Sequence, residues 1–120
     1  MKYNLVLEKS TEFAIRAIKL YQYLSENKKE YVLSKQLLRS GTSIGANVKE
    51  GINAMSKREF VSKLNISLKE ANETEYWLGL LYKTGYIKEK EYISIKDECV
   101  RIIKIITAIL KSATKTIDKK

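Results

Sequence analysis

The chain has 120 residues, with 23 Lys and Arg against 14 Asp and Glu, no proline, no histidine and one cysteine. That length suits one domain whose core needs no staple, and the lone Cys99 excludes an internal disulfide or a Cys-based zinc site. The missing histidines remove Ser-His and Cys-His nucleophile systems and the Glu-x-x-His di-iron chemistry of helical bundles, while a net charge of +9 favours a nucleic acid, an acidic protein or an anionic membrane surface as partner.

The first residues, Met1 to Leu7, contain an apolar run of only three. A signal peptide needs about 7–15, so export is not expected. No stretch approaches the roughly 18 apolar residues of a membrane span, and a reduced, cytoplasmic protein is the expectation. A first helix is predicted over 6–25, where Phe13, Ala17, Leu20, Tyr21 and Leu24 recur at helical intervals. Residues 26–30 carry no apolar side chain and read as a solvated turn.

The second segment, 32–51, keeps Leu33, Leu37, Ile44 and Val48 in phase. Its middle, Ser-Gly-Thr-Ser-Ile-Gly at 40–45, is poor helix material, each glycine costing about 1 kcal/mol against Ala. Two readings compete: a loop, or a helix whose small residues admit a close neighbour. The unbroken apolar phase favours the helix.

The third helix, 57–84, opens on Ser56-Lys57-Arg58-Glu59, the pattern of a capping box. Met55 and Phe60 stand at the two positions of a hydrophobic staple. Gly85 suits a left-handed position after the helix, with Tyr86 folding back on Leu81 as in a Schellman ending. The fourth helix, 89–115, has a seam of Tyr92, Ile95, Cys99, Ile102, Ile106, Ile109 and Ala113, widened by Ile103, Ile105 and Leu110. Residues 115–120 read as a frayed tail. Four helices joined by short loops predict an all-α, antiparallel up-and-down four-helix bundle.

No constellation along the chain points to catalysis, a metal or a cofactor. The segment 41–51 lacks the Gly-Lys pair and preceding strand of a phosphate-binding loop. Glu70, Glu73 and Glu75 are close in sequence, but on a helix they point in at least two directions, and solvation or ion pairing explains them better than acid-base work. A polar network that fixes helix register is a further reading of Ser40, Ser43, Asn47, Glu50, Glu73 and Glu75, against plain exposure of the same residues. Cys99 lies on the apolar seam and reads as core, and packing is favoured over base stacking for Tyr76, Trp77 and Tyr82.

The run Leu33-Ser34-Lys35-Gln36-Leu37-Leu38-Arg39-Ser40-Gly41-Thr42-Ser43-Ile44-Gly45-Ala46-Asn47-Val48-Lys49-Glu50-Gly51 has a distinctive pattern. With Ser56-Lys57-Arg58-Glu59-Phe60 and Lys69-Glu70-Ala71-Asn72-Glu73-Thr74-Glu75-Tyr76-Trp77-Leu78, it resembles the bacterial 23S rRNA intervening-sequence proteins. The resemblance spans nearly the whole chain, and the terminal helices match in apolar pattern alone. It implies an up-and-down bundle assembled as a homopentamer. It also implies kinship with the accessory variability protein of diversity-generating retroelements, which binds a reverse transcriptase and nucleic acid. No catalytic residue carries over.

The leading expectation is a non-enzymatic homo-oligomer that binds RNA or DNA through phosphate contacts, with no membrane partner. The helical wheels nominate Arg16, Lys19, Lys35, Arg39, Lys57, Arg58 and Lys63 for those contacts. The alternative is a protein-interaction scaffold that docks a partner such as a retroelement reverse transcriptase.

Overall fold

Alternating apolar stripes at helical spacing have one way to leave water, which is against one another. The protein does this in a rod of 52 × 22 × 21 Å. The structure, a computed structural model, describes residues 3–118, with side chains to residue 115. Helices α1 (Asn4–Asn27), α2 (Leu33–Ile52), α3 (Lys57–Lys83) and α4 (Glu89–Asp118) follow in order, with no strand among the described residues. Each helix packs on two others: α1 on α2 and α4, and α3 on α2 and α4. Gly41 lies beside Ala17 and Gly45 beside Ser10, Ser40 beside Thr74 and Ile44 beside Ser67, and Ala71 beside Cys99 and Gly79 beside Tyr92, so sequence neighbours run antiparallel. The fold is an all-α, up-and-down four-helix bundle.

Phe13, Leu24, Leu37, Ile44, Leu64, Leu78, Leu81, Ile95 and Ile106 fill the centre. On α4 the core passes from Ile106 to Leu110, leaving Ile109 half-buried on the flank beside Ile105. Helix α4 is continuous to Asp118, past the start of the tail expected to fray at 115–120; residues 119–120 lie outside the described residues.

Residues 26–29 of the turn are exposed, as expected of a solvated turn, and Glu30 alone departs from it. Helix α1 continues to Asn27, Lys29 adopts a left-handed φ of 54°, and Glu30 is 8% exposed. Val32 gives α2 no side-chain cap. The Glu30 carboxylate takes over, accepting from the backbone N–H groups of Val32 (3.2 Å), Leu33 (3.0 Å) and Ser34 (2.7 Å). A carboxylate there satisfies donors that every helix start leaves orphaned and complements the positive end of the helix.

Helix α2 runs unbroken through 40–45 because α1 lies against it. A Cβ at Gly41 would sit 2.9 Å from the Cβ of Ala17, and one at Gly45 would sit 3.3 Å from that of Ser10. Two small residues on each helix bring the backbones together, and that packing offsets the poor propensity of the segment.

At the start of α3, Ser56 accepts from the Glu59 amide at 3.1 Å, while the Glu59 carboxylate accepts from Met55 N–H at 2.9 Å rather than from Ser56. The expected staple does not form. Met55 is 94% exposed, and the ring of Tyr3 covers Phe60 instead, with centroids 4.9 Å apart. The far end closes as a Schellman motif: Gly85 has φ 85°, Tyr86 N–H donates to Leu81 O (2.9 Å) and Gly85 N–H to Tyr82 O (3.0 Å).

Candidate nucleic-acid interface

A side chain that neutralises a phosphate must be exposed and must not already hold a carboxylate. The seven cations nominated by the sequence divide on that criterion. Arg16 bridges α1 to α4, donating to Glu98 and, at 3.3 Å, to Glu91. Arg39 bridges α2 to α3 through Glu70 (3.1 Å) and Glu73, and Lys63 meets Glu50 at 2.9 Å on the same flank. Lys19, Lys35, Lys57 and Arg58 are exposed and hold no ion pair among the described residues.

The four do not gather into one patch. Lys35 lies near the start of α2 and Lys57 and Arg58 in the first turn of α3, which the antiparallel path puts at opposite ends of the rod. Arg58 shares a shallow groove with Asn65 and Lys69. Lys19 lies on a cleft of about 640 Å³ between α1 and the α3–α4 turn, together with Lys28 and Lys88. Sequence reasoning did not nominate those last two because they stand outside the periodic segments, one in each connection. An up-and-down path brings the end of α1 and the start of α4 to the same end of the bundle, and that topology was the available signal.

The six polar residues proposed as a network occupy separate places. Ser40 is buried, and its hydroxyl is hydrogen-bonded to that of Thr74 at 2.9 Å. Ser43 donates to Arg39 O (2.7 Å), and Asn47 to Ser43 O (2.8 Å), both within α2. Glu50 and Glu73 hold Lys63 and Arg39. Glu75 is half-buried, and its charge acts on Cys99 of α4. Register between α2 and α3 is tied by Ser40–Thr74 and by Ser67, which donates to Ile44 O at 2.8 Å. Ser67 and Thr74 escaped the sequence reading, since a hydroxyl inside a helical stripe has no mark of its own.

Chemistry at Cys99 is suppressed by its surroundings. Burial, with Glu75 adding repulsion, pushes the thiol up to about 12, so the nucleophilic thiolate is scarce at neutral pH. Its Sγ–H donates to Ala71 O at 3.3 Å. Among the described residues no three His, Cys, Asp or Glu come together as a metal-ligating group. No described helix is long and apolar enough to cross a membrane.

The sequence pattern of the 23S rRNA-intervening sequence protein family matches residues 2–108. The chain belongs to that family. This intervening-sequence protein is also similar, at 54% identity and a TM-score of 0.91, to a crystal structure from Bacteroides thetaiotaomicron. That structure is described as a protein of unknown function from the S23 ribosomal protein family. The match covers 92% of this chain and 99% of the other. No curated protein matches the intervening-sequence protein.

Proposed function

We propose that this intervening-sequence protein is a non-enzymatic, cytoplasmic homo-oligomer that binds RNA or DNA through phosphate contacts. The observation that carries the reading is the division of the cations. Among the described residues Lys19, Lys35, Lys57 and Arg58 stand exposed without carboxylate partners, in a chain of net charge +9. Phosphate contacts of this kind give affinity with little sequence preference. The homopentamer implied by the family resemblance would repeat these dispersed cations around an assembly. Ile15 and Ile18, exposed on α1, supply apolar surface for it to cover. A non-enzymatic role is supported by Glu70 and Glu73, which are engaged by one arginine.

Light scattering combined with binding of short RNA and DNA, at about 50 and 200 mM salt, tests the reading. The expected outcome is an oligomer whose affinity falls steeply with salt. A binding curve unmoved by salt overturns the phosphate contacts, and a monomer overturns the assembly.

A second reading, a scaffold that docks a protein such as a reverse transcriptase, is favoured by one observation. Tyr76 is 60% exposed on α3 with its ring edge-on to Trp77 at 5.2 Å, an aromatic surface of the kind protein interfaces cover.

A further inference from the structure

The cleft at the open end of the α1–α4 seam combines two chemistries, aromatic and cationic, in one concave space. One wall carries Tyr23 from α1, 44% exposed, and the other carries Tyr86 from the α3–α4 turn. Three lysines surround them: Lys19 from α1, Lys28 from the turn after it, and Lys88 just before α4. Leu20 and Ile87 are buried at its base. Glu91, the one carboxylate among the described residues of the lining, is held by Arg16. The charge facing the space is therefore positive. The ammonium of Lys28 lies over the face of the Tyr23 ring, 5.9 Å from its centre, so a group that stacked on that face would move the lysine aside.

We propose that this cleft seats one unstacked nucleotide of a single-stranded nucleic acid, with its base against Tyr23 and its phosphates on Lys19, Lys28 and Lys88. The inference rests on the phosphate-binding reading above and assigns it a site. A base needs a flat apolar face and its flanking phosphates need cations a few ångströms away, which is the arrangement single-strand binders use. The volume of about 640 Å³ falls within the usual range for small-ligand pockets. A duplex keeps its bases paired and stacked, so it can reach the lysines but leaves the tyrosine unused. An acidic peptide would likewise meet the lysines and make no use of a ring. An anionic membrane presents a flat surface that a concave site does not fit.

The test compares a short labelled oligouridylate with a duplex RNA by fluorescence anisotropy, for the wild type, Tyr23→Ala, Tyr23→Phe and the Lys19→Ala/Lys28→Ala/Lys88→Ala variant. Tyr23→Ala is expected to weaken the single strand roughly tenfold, the size of one base–aromatic stack, and to leave duplex binding unchanged. Tyr23→Phe keeps the ring face and should restore single-strand affinity. Removing the three lysines should flatten the salt dependence for the single strand by roughly 0.7 for each phosphate they neutralise. Unfolding midpoints of all variants separate a binding defect from a folding one. If Tyr23→Ala weakens both nucleic acids alike, or neither, while salt-dependent binding persists, the nucleotide site is overturned and the phosphate reading stands. If the wild type binds neither nucleic acid, both are overturned.

Discussion

Glu30 shows what a single residue can do when position, rather than type, decides its role. Burial pushes its carboxyl up, but the backbone donors of Leu33, Ser34 and Val32 outweigh that, and the net shift is downward from an ordinary 4.5. A carboxyl lowered by folding contributes stability in full above its unfolded value, and loses it as pH falls through the folded one. Glu30→Gln keeps the shape and removes the charge. It is expected to cost about 1–2 kcal/mol at neutral pH, and the difference from wild type should shrink once pH drops below 4.5 and on through the lowered folded value. Urea midpoints at pH 7 and in acid check this. One residue earlier, Lys29 holds a left-handed φ of 54°. Because glycine adopts that region without a Cβ clash, Lys29→Gly should stabilise by about 0.5–1 kcal/mol, read as a raised midpoint. Neither role was legible in the sequence. A charged run between two apolar segments looks like solvent-facing turn, and only the path of the chain bends Glu30 under α2.

The helices themselves were legible because their stripes persist over many turns, as α2 illustrates. Leu37, Ile44 and Val48 stay in phase through 40–45, so the helix could be read where composition argued against it. The purpose of the glycines was only half visible, since Ala17 and Ser10 lie on another helix. That geometry separates two glycines by sign. Gly41→Ala gains helix propensity, yet its Cβ meets another Cβ at 2.9 Å, where neither side can rotate away. Overpacking should dominate, with a loss of about 1–3 kcal/mol. Gly79→Ala has nothing nearer than the Tyr92 hydroxyl at 3.9 Å, so propensity alone acts and a gain of about 0.5–1 kcal/mol is expected. Thermal unfolding of the two variants side by side decides it. The staple failed for a related reason. Met55 and Phe60 had the right spacing, but spacing cannot show that Tyr3 already covers the Phe60 ring.

Across the whole molecule, a charge of +9 is an inventory and not a surface. Counting identified the cations but could not see which ones tie helices together, because Arg39 meets carboxylates 31 and 34 residues away and Arg16 meets them 75 and 82 away. Those ion pairs set an expectation that distinguishes binding cations from structural ones. On a half-exposed flank an ion pair contributes about 0–1 kcal/mol, so Arg39→Ala and Lys63→Ala should each lower stability modestly. Neither should alter the steepness with which nucleic-acid affinity falls against salt, since neither cation is free to displace a counterion. Lys35→Ala, Lys57→Ala and Arg58→Ala should do the reverse. Stability is expected to hold, and for each of the three that touches a phosphate the salt slope should drop by roughly 0.7 on single strands or 0.9 on duplex. Salt titrations on the five variants, alongside their unfolding midpoints, read both quantities. If the slope instead falls with Arg39→Ala and not with the exposed cations, then Glu70 and Glu73 release their arginine on binding, and the interface lies on the α2–α3 flank.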